Sequence, residues 1–144
     1  ASWYEAAAYC RWLTETTGEN ITLPTEQQWQ RAAQGDTDWA YPYGAKFDKN
    51  RCNFNTQGTT PVTQYEGKNK GDSPFGVTDM SGNVWEWCLT KYESGKIELD
   101  GTDVRVLRGG SWRSNSEDNL RVVFRNWGNP GNWVNSGGFR IALS

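Results

Sequence analysis

Two carboxylates in the segment DMSGNVWEW, Asp79 and Glu86, lie seven residues apart on either side of a Gly-Asn turn. If the chain folds back at that turn, both side chains and the main-chain carbonyls between them could surround one cation with oxygen. A set of oxygen ligands suits calcium. The residues alone favour a simpler interpretation, a buried aromatic strand bordered by structural polar turns. Both interpretations stay open at this point.

A second group lies between residues 113 and 135, where six asparagines are interleaved with serine and tryptophan. Adaptable hydrogen-bonding groups mixed with rigid aromatic side chains are typical of recognition surfaces. The alternative is structural, because asparagine and glycine also serve turns, as around Pro130. Trp127 and Trp133 are not explained by turn formation, but we expect at least one of them to be buried.

Other chemistries are excluded or disfavoured by composition. The chain has no histidine, which removes Ser-His and Cys-His nucleophile pairs and the commonest transition-metal ligand. Its three cysteines are widely spaced and contain no CxxC, so free, mostly buried thiols are expected. Residues 105–144 contain six arginines and two acids, but the arginines are dispersed. They predict packing on tryptophan or pairing with carboxylates, and no nucleic-acid partner.

Length and hydropathy limit the class of protein. The 144 residues suit a single domain, and nine Trp, six Tyr and five Phe predict a core built largely from aromatic rings. No window approaches 18 apolar residues and no signal peptide is visible, so we expect no membrane span. These features leave the location open between the cytoplasm and a cell or virion surface.

Helix signals open the chain and strand signals close it. Two capping boxes, S-x-x-E from Ser2 and T-x-x-Q from Thr25, predict helices ending near Gly18 and Gly35. Residues 36–103 lack a sustained period and predict long, irregular loops. Residues 104–107, 120–124 and 139–143 predict three strands. The pattern therefore predicts an α+β fold.

The order of motifs resembles the formylglycine-generating enzyme family, also called the sulfatase-modifying-factor domain. The segments that carry the resemblance are SWYEAAAYCRWL, LPTEQQWQRAA, YPYG, NRCNFN, TTPV, SPFGVTDMSGNVWEWC, RVLRGGSW, FRN and GGFRIA. The resemblance implies a C-type lectin-like fold, with two helices flanking a small, twisted antiparallel sheet and long irregular loops. It also implies that residues 1–144 form a single domain that lacks the N-terminal part of the family domain.

The resemblance makes the calcium prediction more specific. In the family one calcium ion is held at the segment matching residues 79–86, which here implies the side chains of Asp79 and Glu86 and the carbonyls of Gly82 and Val84. A second family calcium lies near the segment matching Asn53 and Phe54, but the loop that completes it is shorter here. We therefore expect one structural calcium ion.

At the catalytic positions this chain departs from the family pattern. The family enzyme oxidises a substrate cysteine with copper and oxygen, using two cysteines at the third and eighth positions after the serine of its G-G-S motif. Those positions are Ser114 and Asn119 here. Neither side chain supplies the soft thiolate that holds Cu(I), so we expect no copper and no enzymatic activity.

The C-terminal third is also similar to the variable proteins of diversity-generating retroelements, in which RGGSW precedes an Asn- and Ser-rich stretch and a terminal GGFRIA. That resemblance implies a variable face that binds a protein or other macromolecular ligand. The implied ligand-binding residues are Arg113, Ser114, Asn115, Ser116, Asn126, Trp127, Asn129, Asn132, Trp133 and Asn135. Two alternatives remain, a formylglycine-generating oxidoreductase with a degenerate site and an accessory structural domain attached to a kinase or surface protein.

Overall fold

Both predicted helices are present in the computed structural model, which describes residues 1–133 and 135–144. Helix α1 spans Trp3–Thr17, and its first turn is closed by Ser2, which exchanges side-chain hydrogen bonds with Glu5. The helix ends at Gly18, which has a left-handed backbone with φ of 76°. The capping boxes therefore located the helix boundaries correctly, because they satisfy main-chain groups that the helix itself leaves unpaired.

A short strand, β1 (Ile21–Thr22), leads from α1 to helix α2 (Glu26–Gln34). Thr25 and Gln28 form the second capping box at the start of α2. The N–H of Glu26 also donates to the hydroxyl of Thr90 in the main sheet. This contact joins the beginning of α2 to the sheet.

In the described part of the chain, the main sheet has four strands in the order β4-β3-β2-β5. Its strands are β2 (Trp85–Lys91), β3 (Arg105–Arg108), β4 (Asn126–Gly128) and β5 (Gly137–Gly138). Neighbouring strands are antiparallel except β2 and β5, which are parallel. A separate antiparallel pair joins β1 to β6 (Ala142–Leu143). The α+β class is confirmed, but the sheet is mixed where an antiparallel one was predicted.

Two of the predicted strands were wrong or too long. In residues 120–124, Leu120 ends a 3-10 turn and Val122 donates its N–H to the carbonyl of Ala40. Leu120 and Val122 are fully buried while Val123 is exposed, so this apolar segment contributes to the core without a strand partner. Residues 139–143 form a strand only at Ala142–Leu143.

The core contains the aromatic rings and also buried arginines. The guanidinium of Arg105 lies 3.8 Å from the ring centroid of Trp3 and donates to the main-chain carbonyl of Leu89. Arg108 forms an ion pair with Glu26 at 2.6 Å and lies over the ring of Trp29. The prediction that tail arginines pack on tryptophan or pair with acids is confirmed for these two residues. No helix in the described residues is long and apolar enough to cross a membrane.

Candidate functional site

A tight turn enters the central strand β2 through the segment that carries the two predicted carboxylates. Asp79, Gly82 and Asn83 all have positive φ angles, of 58°, 79° and 68°. Asn, Asp and Gly tolerate this left-handed region better than other residues. A Cβ on Gly82 would lie 2.4 Å from the carbonyl oxygen of Asn53, so this turn also requires glycine for close approach.

The carboxylate of Glu86 is buried and fully engaged by side chains from two other elements. Its Oε2 accepts from Trp29 Nε1 at 2.8 Å and from Arg140 Nε at 2.6 Å. Its Oε1 accepts from Arg140 Nη2 at 2.7 Å. The same Arg140 nitrogen donates to the main-chain carbonyls of Thr78 and Asp79. One guanidinium therefore ties β2, the turn before it and the C-terminal segment together.

These residues do not fit a calcium ion in the arrangement observed. The positive guanidinium of Arg140 contacts both side-chain oxygens of Glu86, which was expected to be one of the two carboxylate ligands of the ion. A calcium ion there would have to displace it. The Oδ1 atom of Asp79 is buried and has no hydrogen-bond partner in the described residues, so one oxygen remains free. Calcium held by Asp79, Gly82, Val84 and Glu86 stays a prediction from the resemblance.

The buried carboxyl of Asp79 makes stability depend on pH. Burial raises the pKa of Asp79 to about 6, although Arg140 opposes the rise. Because the folded-state pKa lies above the unfolded value near 4, the native state binds the proton more tightly. This stabilisation is complete below about pH 4 and is lost as the pH rises through about 6.

We expect Asp79→Asn, which keeps the bond to Asn83 and suits the left-handed backbone, to stabilise the protein at pH 7 by about 2–3 kcal/mol. Urea unfolding at pH 4 and pH 7 measures the effect, and the gain should vanish at pH 4. Equal stabilisation at both pH values would contradict the assignment. A melting temperature raised by millimolar calcium in the wild type but not in Asp79→Asn would show instead that the free oxygen binds the ion.

The loop after β3, residues 109–116, is hydrogen-bonded to the same turn. Gly82 donates its N–H to the carbonyl of Gly109, and Trp112 donates its N–H to the carbonyl of Asn83. The guanidinium of Arg113 reaches the side-chain oxygen of Asn135 at 3.4 Å. The structure therefore brings two parts of the predicted binding set together, the loop after β3 and the segment before β5.

Most of the ten predicted ligand-binding residues point to solvent. Trp127 is 55% exposed and Trp133 is 66% exposed, so the expectation that at least one would be buried was wrong. Asn126 is half-buried. The exposed polar members of the set are Arg113, Asn115, Ser116, Asn129, Asn132 and Asn135. We use the term C-terminal face for these six residues together with Asn126, Trp127 and Trp133.

Ser114 does not belong to this face. It is buried, and its hydroxyl accepts the N–H of Ser111 inside a turn that the main chain also closes. The sequence placed Ser114 with its exposed neighbours because the type of residue does not reveal which way a side chain points within an irregular loop. Its role is to shape the loop that carries Arg113 and Asn115.

Turn formation explains one asparagine of the face. The side-chain oxygen of Asn129 accepts the N–H of Gly131, and its main-chain carbonyl accepts the N–H of Asn132. The carbonyl of Pro130, inside this turn, accepts the N–H of Trp3 at the start of α1. The structural alternative therefore applies to Asn129, while the side chain of Asn132 makes no hydrogen bond within the described residues.

The three thiols are free, buried and separated in the fold. Cys10, Cys88 and Cys52 lie in three different hydrophobic clusters, which confirms the prediction from their spacing. Burial raises the pKa of Cys52 to about 11 and also raises the pKa of Cys10 and Cys88. Because Cu(I) is held by thiolates, protonated thiols in separate clusters do not make a copper site.

Arg140 and Asn83 are the residues that sequence reasoning missed. Both lie in quoted motifs, GGFRIA and DMSGNVWEWC, but neither was assigned a role. The one available signal was the type of residue, a lone arginine in an apolar terminal segment and an asparagine beside glycine in a turn. Their partners lie 54 and 30 residues away, at Glu86 and Asn53 respectively.

The chain matches the model of the Sulfatase-modifying factor enzyme 1-like domain over residues 1–144. It is 37% identical to serine/threonine-protein kinase pkn1 of Chlamydia caviae, with 98% of this chain and 23% of the relative covered. It is 33% identical to Inactive C-alpha-formylglycine-generating enzyme 2 of Mus musculus, with 99% and 47% covered. For the Formylglycine-generating enzyme of Thermomonospora curvata the identity is 32%, with 98% and 53% covered. The chain thus spans about a quarter to a half of these relatives.

Among solved structures, the chain is similar to Treponema denticola variable protein 1. The TM-score is 0.82 at 24% identity, and the match covers 99% of this chain and 69% of that one. At this identity the likeness establishes the fold. The fold is the C-type lectin-like arrangement that the motifs implied.

Proposed function

Given that the chain belongs to the family of sulfatase-modifying factor enzyme 1-like domains, we propose that it is a non-catalytic binding domain that presents the C-terminal face to a protein ligand. One observation carries the proposal. Two tryptophans are more than half exposed, Trp127 on strand β4, which pairs with β3, and Trp133 in the segment before β5. Tryptophan and asparagine supply rigid contact area and adaptable hydrogen bonds, the combination found in evolved binding surfaces.

The absence of catalysis is supported by the positions that carry the family chemistry. Ser114 and Asn119 stand where the resemblance places the two active-site cysteines. The hydroxyl oxygen of Ser114 accepts the N–H of Ser111. The mouse relative is named an inactive enzyme, whereas the Thermomonospora curvata relative is named a formylglycine-generating enzyme. An assay with a cysteine-containing sulfatase peptide, copper and oxygen tests this point, and we expect no aldehyde product. Aldehyde formation would establish the oxidoreductase alternative.

The exposure of the face favours binding over a purely structural role. A structural accessory domain predicts that Trp127 and Trp133 are both buried, and neither is. The matched region makes up only about a quarter of the kinase relative. This is what a binding module attached to a larger protein would show. The face would then select what the larger protein contacts.

We further propose that the face is diversified at the level of the gene. The likeness in fold to a variable protein supports this, as does the concentration of asparagines on exposed loops. The test is to sequence the DNA around the encoding gene. A reverse transcriptase gene beside a near-identical repeat that differs at adenines would support diversification, and the absence of both would contradict it without affecting the binding proposal.

A face that can vary must tolerate substitution. We expect Asn115→Ser, Asn126→Ser and Asn132→Ser each to change the free energy of unfolding by no more than about 0.5 kcal/mol. Asn115 and Asn132 are exposed, and the bond that the side chain of half-buried Asn126 accepts from the adjacent N–H of Trp127 is one that a serine hydroxyl can also accept. The matched control is Asn53→Ser, at a fully buried asparagine bonded to Gly58 and Asn83, which should cost several times more. Chemical denaturation measures the free energy of unfolding of all four variants. If Asn53→Ser lost no more stability than the three variants of the C-terminal face, the assignment would be contradicted.

A further inference from the structure

A cavity of about 410 Å³ lies outside the C-terminal face and shares no residue with it. It opens between the segment after α2 and the loop that precedes the Asp79 turn. Its walls include Trp39 and Tyr43 on one segment and Lys68, Asn69 and Asp72 on the other. No step of the proposed function uses these residues.

The walls of the cavity are held by short-range hydrogen bonds. Lys70 and Asp72 both donate their N–H groups to the carbonyl of Gly67, and Gly71 donates to the carbonyl of Tyr65. The side chain of Gln34, in α2, donates to the carbonyl of Trp39. A site built on loops that are already fixed by hydrogen bonds loses little conformational entropy when it binds a ligand.

The two charged residues of the cavity, Lys68 and Asp72, have opposite signs. Within the described residues neither Lys68 nor Asp72 takes part in a salt bridge. The Oδ1 atom of Asp72 accepts from the hydroxyl of Thr78 at 2.9 Å, which orients the carboxylate and leaves Oδ2 without a hydrogen bond in the described part of the chain. Asn69 is exposed, and its amide also makes no hydrogen bond in that part.

The same cavity offers aromatic surface. Trp39 is 37% exposed and Tyr43 is half-buried. The hydroxyl of Tyr43 is anchored by the N–H of Asp48, so the ring has a defined position. An aromatic wall beside a few polar groups is the usual composition of a small-molecule site.

We propose that this cavity binds a free α-amino acid in its zwitterionic form. The ammonium group of Lys68 would pair with the ligand carboxylate and Asp72 with the ligand ammonium, while Trp39 and Tyr43 contact the ligand side chain. Each pair would be a charge-assisted hydrogen bond, which is stronger than a neutral one. A neutral sugar would use the aromatic wall but leave both charges unmatched.

The test begins with the twenty standard free amino acids, each added at millimolar concentration while the melting temperature of the whole chain is followed. We expect at least one with an apolar or aromatic side chain to raise it. Calorimetry then compares that amino acid with its N-acetyl and amide derivatives, which remove the ligand's positive and negative charge respectively. Each derivative should bind at least tenfold more weakly.

Variants of the protein locate the site. Asp72→Asn, which keeps an acceptor for Thr78, and Lys68→Gln should each weaken binding at least tenfold. The controls Asp38→Asn and Lys70→Gln change neighbouring charges that do not line the cavity and should leave affinity unchanged. The proposal is overturned if no amino acid stabilises the protein, if a derivative binds as well as its parent, or if the controls weaken binding as much. Replacing Trp127 should not alter amino-acid binding. A failure of the cavity proposal can therefore be distinguished from a failure of the proposed function.

Discussion

Replacing Arg140 with methionine is expected to lower the free energy of unfolding by about 3–5 kcal/mol, because it leaves the buried carboxylate of Glu86 without its positive partner. Methionine fills part of the volume but supplies none of the four hydrogen bonds that the guanidinium makes to Glu86, Thr78 and Asp79. Within the described residues, the remaining side-chain donor to Glu86 is Trp29 Nε1, which carries no charge. Urea unfolding at neutral pH gives the value.

The matched control is Arg11→Met, which removes an arginine from an exposed pair with Glu15 on α1. Exposed ion pairs contribute little, so this change should cost less than about 1 kcal/mol. Adding Glu86→Gln to Arg140→Met should recover part of the loss, since the uncompensated charge is then gone. If Arg140→Met cost no more than Arg11→Met, the guanidinium would not be the partner that holds Glu86.

Asn83→Ala is expected to cost a similar amount, about 3–5 kcal/mol. Its side chain accepts from Asn53 and from the N–H of Thr60, and donates to the Thr60 carbonyl and to Asp79. Truncation removes a partner from each of these buried or half-buried groups, although the amide of Asn53 keeps its bond to the carbonyl of Gly58. The cost is about 1–3 kcal/mol for each group that finds no other partner. Alanine at a φ of 68° adds about 1–2 kcal/mol of backbone strain.

Asn83→Gly separates the two contributions, because glycine accepts the left-handed backbone but lacks the side chain. It should be less destabilising than Asn83→Ala by the strain alone. Amide hydrogen exchange at Trp112, whose N–H is bonded to the carbonyl of Asn83, should accelerate in both variants. Unchanged protection there, or a cost below that of the exposed control Asn132→Ala, would contradict the assignment.

These two positions connect stability to the proposed binding role. Asn83 holds the loop that carries Arg113 and Asn115, and Arg140 holds the segment that follows Asn135. Buried polar groups that are fully paired define one arrangement of the loops above them. The exposed side chains can then change without changing the frame.

Sequence reasoning succeeded where the signal was local. The capping boxes at Ser2 and Thr25 depend on groups three residues apart, so they predicted both helices with their ends. The aromatic run after Asn83 predicted a buried strand, which is β2. The strand predicted at residues 120–124 was wrong, because a strand needs a partner that a short apolar run does not specify.

The amino-acid sequence by itself determined the helices, the family, the buried state of the thiols and the composition of the C-terminal third. Only the tertiary structure decided which of those C-terminal side chains reach solvent, that Ser114 turns inward, and that the cation beside Glu86 is Arg140. The physical reason is range: capping and burial periodicity arise between residues a few positions apart, whereas the direction of a side chain in an irregular loop and the partner of a buried charge depend on contacts across the whole fold.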